Sequence, residues 1–197
     1  MQISKVILSS SSPRRAQLLH NITDSFEIRV NAVDEIRDTS LPLANQIEQL
    51  ALLKANAVEI YPNEVIIGSD TIVSYQGEIF GKPKNKDDAY AMLSQLSNNT
   101  HQVITGVALR TTDKTLVSHC VSNVTFKPLT KKMITDYIAT GSPLDKAGAY
   151  GIQDKTMDFI KSIEGDYFNI IGLPLFLVWE MLHRLDPRYT PIHNDLA

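Results

Sequence analysis

Residues able to do chemistry gather at a few points along this chain. Ser9-Ser10-Ser11-Ser12-Pro13-Arg14-Arg15 follows a strand-like run, Val6-Ile7-Leu8, and opens onto Ala16, Leu18, Leu19 and Ile22 at helical spacing. Ser12 suits an N-cap and Pro13 the first helical position, where its missing N–H leaves nothing unpaired. The free amides of that turn would then face outward with the positive end of the helix dipole. Hydroxyls and two guanidinium forks beside such a turn suit phosphate. The same residues also fit an ordinary helix start with solvated arginines, so this segment alone leaves both readings open.

Lys54 breaks an apolar stripe. Ile47, Leu50, Ala51 and Val58 share one face of the helix expected after Pro42, and Lys54 falls on that face. Either it snorkels to the helix edge, or it reaches a cleft where an anion neutralises it. Asp70 follows the fully apolar run Val65-Ile66-Ile67, at the end of a strand where open α/β sheets gather ligands. It could cap the next turn or serve a site. Asp34-Glu35 also follows an expected strand, and two carboxylates converging beside phosphate-binding cations would suit Mg²⁺.

Gly81-Lys82-Pro83 stiffens a hairpin exit and holds one lysine in place, or is only a turn. Asp145 to Gln153 is a small-residue loop that lets backbone approach a ligand while Gln153 offers a donor and an acceptor. His101 has no matched serine or cysteine partner in the sequence and reads as structural or as a support behind a site residue. Cys120, the single cysteine, excludes an intramolecular disulfide and reads as a small core residue in an alternating strand.

Strand and helix signals that must position these groups alternate through the first half: Val6 to Leu8, a helix from Pro13, Phe26 to Val30, a helix after Pro42, then Val65 to Ile67. That order is α/β. Ile72 to Tyr75 and Glu78 to Phe80 flank Gln76-Gly77 as a hairpin, and Asn85 caps a helix with Ala89, Met92, Leu93 and Leu96 on one face. His101 to Leu109 and Leu116 to Phe126 alternate across an Asp113-Lys114 turn as an antiparallel pair. A short helix after Thr130 ends at Gly141. The last helix starts near Pro174 and should bury Leu175, Val178, Trp179 and Leu182, with a frayed tail from Pro187.

With 197 residues, 43% of them apolar, the chain can bury a proper core in one domain, residues 1–197, that could be bilobal. A net charge of −3 argues against broad affinity for nucleic acid or membranes, so a basic cluster points to a small anionic ligand. No basic-then-apolar leader opens the sequence, and no apolar run nears the roughly 18 residues needed to span a bilayer. The expected address is cytoplasmic.

Taken together, Ser10 to Arg15, Asp34-Glu35, Ala51 to Ala55, Gly68-Ser69-Asp70-Thr71, Gly81-Lys82-Pro83, His101 to Val107, Asp145 to Gln153 and Gly172 to Leu175 resemble, in order, the Maf family of nucleoside triphosphate pyrophosphatases. The Asp-Lys-Ala-Gly-Ala-Tyr-Gly-Ile-Gln stretch is similar to the branch acting on dTTP and UTP. The resemblance implies a mixed twisted sheet flanked by helices, two lobes around a cleft, similar to inosine triphosphate pyrophosphatases, and a homodimer. It implies Asp70 as proton acceptor and metal ligand with Glu35, a Mg²⁺ or Mn²⁺ cofactor, and Lys54 and Lys82 as further catalytic cations. Ser12, Arg14, Arg15, Thr71 and Gln153 fall at substrate and specificity positions.

Three positions depart from the family pattern: Ser142 where Gly-Glu-Pro is usual, Asp154 in place of a common glycine, and Asn98-Asn99 where a glycine often follows Leu-Ser. The first puts a supporting carboxylate in doubt, and Asp154 could stiffen the loop holding Gln153. The expected activity is cleavage between the α- and β-phosphates of dTTP or UTP by water. The alternatives are a nucleotide-binding regulator of septum formation without turnover, and housecleaning of modified nucleotides.

Overall fold

The computed structural model describes residues 2–190. Its strands are β1 (Lys5–Ser9), β2 (Phe26–Ile28), β3 (Glu64–Tyr75), β4 (Glu78–Phe80), β5 (Thr100–Arg110), β6 (Thr115–Phe126) and β7 (Ile160–Glu164). The helices are α1 (Pro13–Leu19), α2 (Leu43–Asn56), α3 (Lys86–Leu96), α4 (Lys131–Ala139), α5 (Tyr167–Ile171) and α6 (Leu175–Leu185). The seven strands pair in the order β2-β1-β3-β5-β6-β7, with β4 on β3. β1 runs parallel to β2 and β3, while β3–β4 and β6–β7 are antiparallel, which makes the sheet mixed as expected.

The chain divides into two compact units. One holds the residues up to Asp70, Thr105–Cys120 and the chain from Gly172; the other holds Thr71–Ile104 and Val121–Ile171. In the first, Ile7, Ala51, Ala55, Val58, Ile66 and Ala108 form a core cluster in which α2 covers the sheet.

That contact explains a correction. Gly68-Ser69-Asp70-Thr71 has the composition of a turn, yet β3 runs unbroken from Glu64 to Tyr75 and Asp70 lies inside it. Gly68 is there for close packing: a Cβ on it would stand 2.2 Å from the Ala51 carbonyl oxygen and 2.7 Å from the Ala55 amide. Gly106 on β5 does the same for the preceding turn of α2, where a Cβ would lie 2.5 Å from the Ile47 carbonyl oxygen. Alternation then gives Asp70 the same face of β3 as Gly68, toward α2.

The β3–β4 hairpin turns at Gln76-Gly77, both at positive φ (51° and 83°), the backbone a two-residue hairpin loop requires. Asn85 and Thr130 cap α3 and α4 through their side chains, accepting from the amides of Asp88 and Met133.

Helix α6 corrects a second expectation. Val178, Met181, Leu182 and Leu185 face inward, so Trp179, 100° round the helix from Val178, stays 39% exposed and packs on Phe176 and His183. Cys120 lies half-buried in the outer half of β6 rather than in the core. Tyr189 is buried, with its amide on the Asp186 carbonyl; residues 191–197, the rest of the expected tail, lie outside those described.

Gly68→Ala should lower stability by about 2 kcal/mol or more, because the collision is with helix backbone that cannot swing aside. Gly81, with open space around its missing Cβ, is the control. Thermal melting should show a Tm fall of roughly 5 °C for Gly68→Ala and little for Gly81→Ala; equal curves would contradict the close-packing account.

Candidate active site

In the first unit α2 delivers Lys54 to β3. Its ammonium lies 2.5 Å from Asp70 Oδ1 and 2.9 Å from Glu35 Oε1. The Lys54 and Asp70 side chains are only 16% and 13% exposed, whereas Glu35, on the loop after β2, is 52% exposed. Lys54 thus goes neither to the helix edge nor to an apolar dead end: the two carboxylates neutralise it. Partial burial strengthens such a pair and also makes each member costly to leave alone.

The serine-rich segment divides its labour. Ser9 Oγ donates to the Lys54 carbonyl at 2.7 Å, fastening the end of β1 to the last turn of α2. Ser10 Oγ accepts from the Ser12 amide at 3.2 Å and from Arg15 Nη1 at 3.1 Å. Ser12 stands at the N-cap of α1 with extended backbone, but its hydroxyl makes no capping bond, and its own amide donates to Ser10 Oγ. The expected Ser12 cap is not formed, a Ser10 turn precedes the helix instead, and α1 itself is only seven residues long.

Arg15 is used structurally as well: Nε donates to the Gly172 carbonyl at 2.9 Å, an oxygen that also accepts from Ser69 Oγ at 3.2 Å. Gly172, at φ 124°, holds a backbone that a side chain would strain. Burial lowers the Arg15 pKa while the negative charge of Asp70 raises it, so this guanidinium and the Asp70 carboxylate are electrically coupled. Arg14 is half-buried beside it.

The second unit holds Thr71, Lys82 and Gln153. Thr71 is half-buried in β3 directly after Asp70. Lys82 and Gln153 are exposed, and neither side chain pairs among the described residues. Their loops are tied together, since the Gly148 amide donates to the Gly81 carbonyl at 3.1 Å. Gly148, at φ 68°, packs against Val73, where a Cβ would come within 2.9 Å of Cγ2.

Beneath that loop, Tyr150 and His101 are buried with Phe126 in edge-on aromatic contacts, and His101 Nε2 lies 2.7 Å from the Tyr150 hydroxyl. His101 Nδ1 is buried without a partner among the described residues. Desolvation pushes the ring down to about 4, so it is neutral and structural.

The residues fit a divalent cation in donor type. Asp70 and Glu35 converge on one point, occupied by the Lys54 ammonium, and offer the oxygen ligands Mg²⁺ prefers. Among the described residues no group of three His, Cys, Asp or Glu side chains could hold a metal ion, so substrate phosphates would have to complete the shell.

The pattern of a family described as Maf-like protein matches residues 5–185. A protein of Symbiobacterium thermophilum named dTTP/UTP pyrophosphatase is 46% identical over 181 residues, spanning 91% of this chain and 93% of that one. A Geobacillus protein of the same name is 49% identical over 175 residues, 88% of this chain and 94% of that one. In fold, the Staphylococcus aureus Ham1 protein matches with a TM-score of 0.55 and 14% identity over 93% of this chain and 100% of that one.

His101 makes a pH prediction. An unfolded histidine titrates near 6.5, so as pH falls from there toward 4 the unfolded chain takes up a proton that the folded chain refuses, and stability drops. Denaturant titrations at pH 7 and 4.5 should show the wild type losing about 2 to 3 kcal/mol more than His101→Gln between the two values. Equal losses would contradict a buried neutral ring.

Proposed function

Because the chain belongs to the Maf-like protein family, we propose that it is a nucleoside triphosphate pyrophosphatase that hydrolyses dTTP and UTP to the monophosphate and pyrophosphate. The observation that carries this reading is the Lys54 ammonium held between Asp70 and Glu35, a charge cluster a triphosphate can enter by exchange.

A triphosphate brings about four negative charges. Lys54 turns from carboxylate to phosphate oxygen, which releases Asp70 to accept the proton of an attacking water. Arg14 and the free Lys82 add cations whose attraction grows as charge moves onto the leaving pyrophosphate. Ser11 and Ser12, whose hydroxyls make no bond among the described residues, are available to phosphate as Ser9 and Ser10 are not. Asp70 and Glu35 would hold Mg²⁺ or Mn²⁺, which when bound polarises a phosphoryl oxygen.

Gln153 reads the base. Its amide offers a donor and an acceptor that match O4 and N3–H of thymine and uracil, and cytosine inverts both partners. Thr71 and Arg14 accompany it as specificity positions. The reading includes a cytoplasmic address and a homodimer; no helix among the described residues is long and apolar enough to cross a membrane.

With dTTP and Mg²⁺ the products should be dTMP and pyrophosphate, and EDTA should stop turnover. Orthophosphate with a diphosphate would contradict α–β cleavage, and binding without any product would favour a nucleotide-responsive regulator. Asp70→Asn should lower kcat at least about a hundredfold in folded protein; a near-normal kcat would move the base elsewhere, with Glu35 next. Over a panel of nucleotides, dTTP and UTP should exceed CTP and the purine triphosphates at least roughly tenfold in kcat/KM. Gln153→Ala should narrow that gap, and an equal loss on every nucleotide would mean that Gln153 only steadies its loop.

A further inference from the structure

The turn that carries Gln153 is held by a charged knot. Asp154 Oδ2 accepts from the Tyr137 hydroxyl at 2.8 Å and from the Ser142 hydroxyl at 2.6 Å, and the Lys146 ammonium stands 3.5 Å away. Lys146 also donates to the Ser142 carbonyl at 2.7 Å and pairs with Asp145 at 2.6 Å. The Tyr137 hydroxyl accepts in turn from the Gly151 amide at 3.1 Å, and the Gly151 carbonyl accepts from the Asp154 amide at 2.9 Å. Gly151 sits against the knot with no room for a side chain: a Cβ would lie 2.6 Å from Lys146 Cε and 2.9 Å from Asp154 Oδ2.

Both ends of the 151–154 turn therefore meet at the Tyr137 phenol, Gly151 through its amide and Asp154 through its carboxylate, while Gln153 between them is exposed and makes no hydrogen bond among the described residues. We propose that the Asp154 carboxylate is a positioning residue that sets the pose of Gln153 and, through it, the discrimination among nucleobases. This rests on reading Gln153 as the residue that contacts the base. Burial and the Asp154 bond both keep the Tyr137 phenol protonated, so it remains a donor to the knot.

The carboxylate acts by charge and place rather than by bulk. Tyr137 and Ser142 both direct donors to Oδ2 and the Lys146 ammonium stands beside it, so removing it leaves a largely buried phenol short of an acceptor and a largely buried ammonium with one counter-charge fewer, and the turn must shift to compensate. Ser142 Oγ is within hydrogen-bond distance of that oxygen, so a carboxylate placed at position 142 can serve the same donors from the other side.

The test compares kcat/KM for dTTP and CTP in the full chain for wild type, Gln153→Ala, Asp154→Ala and the double variant Ser142→Glu with Asp154→Gly. Asp154→Ala should cut the dTTP-to-CTP ratio at least about fivefold, mainly by raising KM for dTTP with kcat changed less than about twofold. The double variant should bring the ratio back to within about twofold of wild type. An unchanged ratio in Asp154→Ala, or an equal loss on both nucleotides, overturns the proposal. If Asp154→Ala does not fold, Asp154→Asn and Tyr137→Phe keep the side-chain shapes and decide the matter: unchanged ratios in both overturn it. A Gln153→Ala that leaves the ratio intact refutes the base-reading role itself, whereas one that narrows it beside an inert Asp154→Ala refutes only the role of Asp154.

Discussion

Helix α2 lies against the sheet at a distance only glycine allows. Gly68 on β3 and Gly106 on β5 let the backbone from Ile47 to Ala55 settle onto the strands, and everything charged in the first unit follows from that. Lys54, one turn beyond Leu50, is carried to the β3 residue two places after Gly68, and its ammonium meets Asp70 there. With ordinary side chains at 68 and 106 the helix would stand off and the pair would open to water. The approach thus converts an apolar-stripe position into a partly desolvated ion pair, which is expensive to break without a replacement charge. A polyphosphate is such a replacement.

In each unit the side chains divide into those that build and those that remain available. Ser9, Ser10, Ser69 and Arg15 use their polar atoms on backbone carbonyls, on an amide or on each other, which fixes the β1–α1 turn to α2 and to Gly172. Ser11 and Ser12 in the first unit, and Lys82 and Gln153 in the second, keep theirs uncommitted among the described residues. Rigid support beneath free functional groups is what ligand orientation requires, since a group already in place loses little entropy on binding. In the second unit the support comes from the buried His101–Tyr150 pair and from Asp154, in the first from the serine turn.

Much of this was legible in the residues. Lys54 announced itself by interrupting an apolar stripe, and the α/β order, the Gln76-Gly77 hairpin and the Asn85 and Thr130 caps follow from periodicity and turn chemistry alone. What misled was a glycine with two meanings. Gly68-Ser69-Asp70 resembles a turn in composition, and only the approach of a helix 13 to 17 residues earlier in the chain reveals Gly68 as a packing glycine within a long strand. Ser12 stands at the N-cap position that the Ser-Pro pair suggests, yet its hydroxyl makes no bond to the helix. β7 and α5 carry too few periodic apolar residues to declare themselves, and β7 forms by pairing with β6. The Ser142–Asp154 contact left only a trace, two unusual residues twelve apart whose meeting depends on the turns between them.

On the proposed function, a triphosphate takes Lys54 away from its two carboxylates. Calorimetric titration of the unhydrolysable α,β-imido analogue of dTTP, with Mg²⁺ present, into wild type and Lys54→Met tests it most directly. Kd should rise at least about tenfold in the variant, a loss of about 1.4 kcal/mol or more. An unchanged Kd, together with an unchanged or raised Tm, would contradict it and leave Lys54 as a structural partner of Asp70 alone.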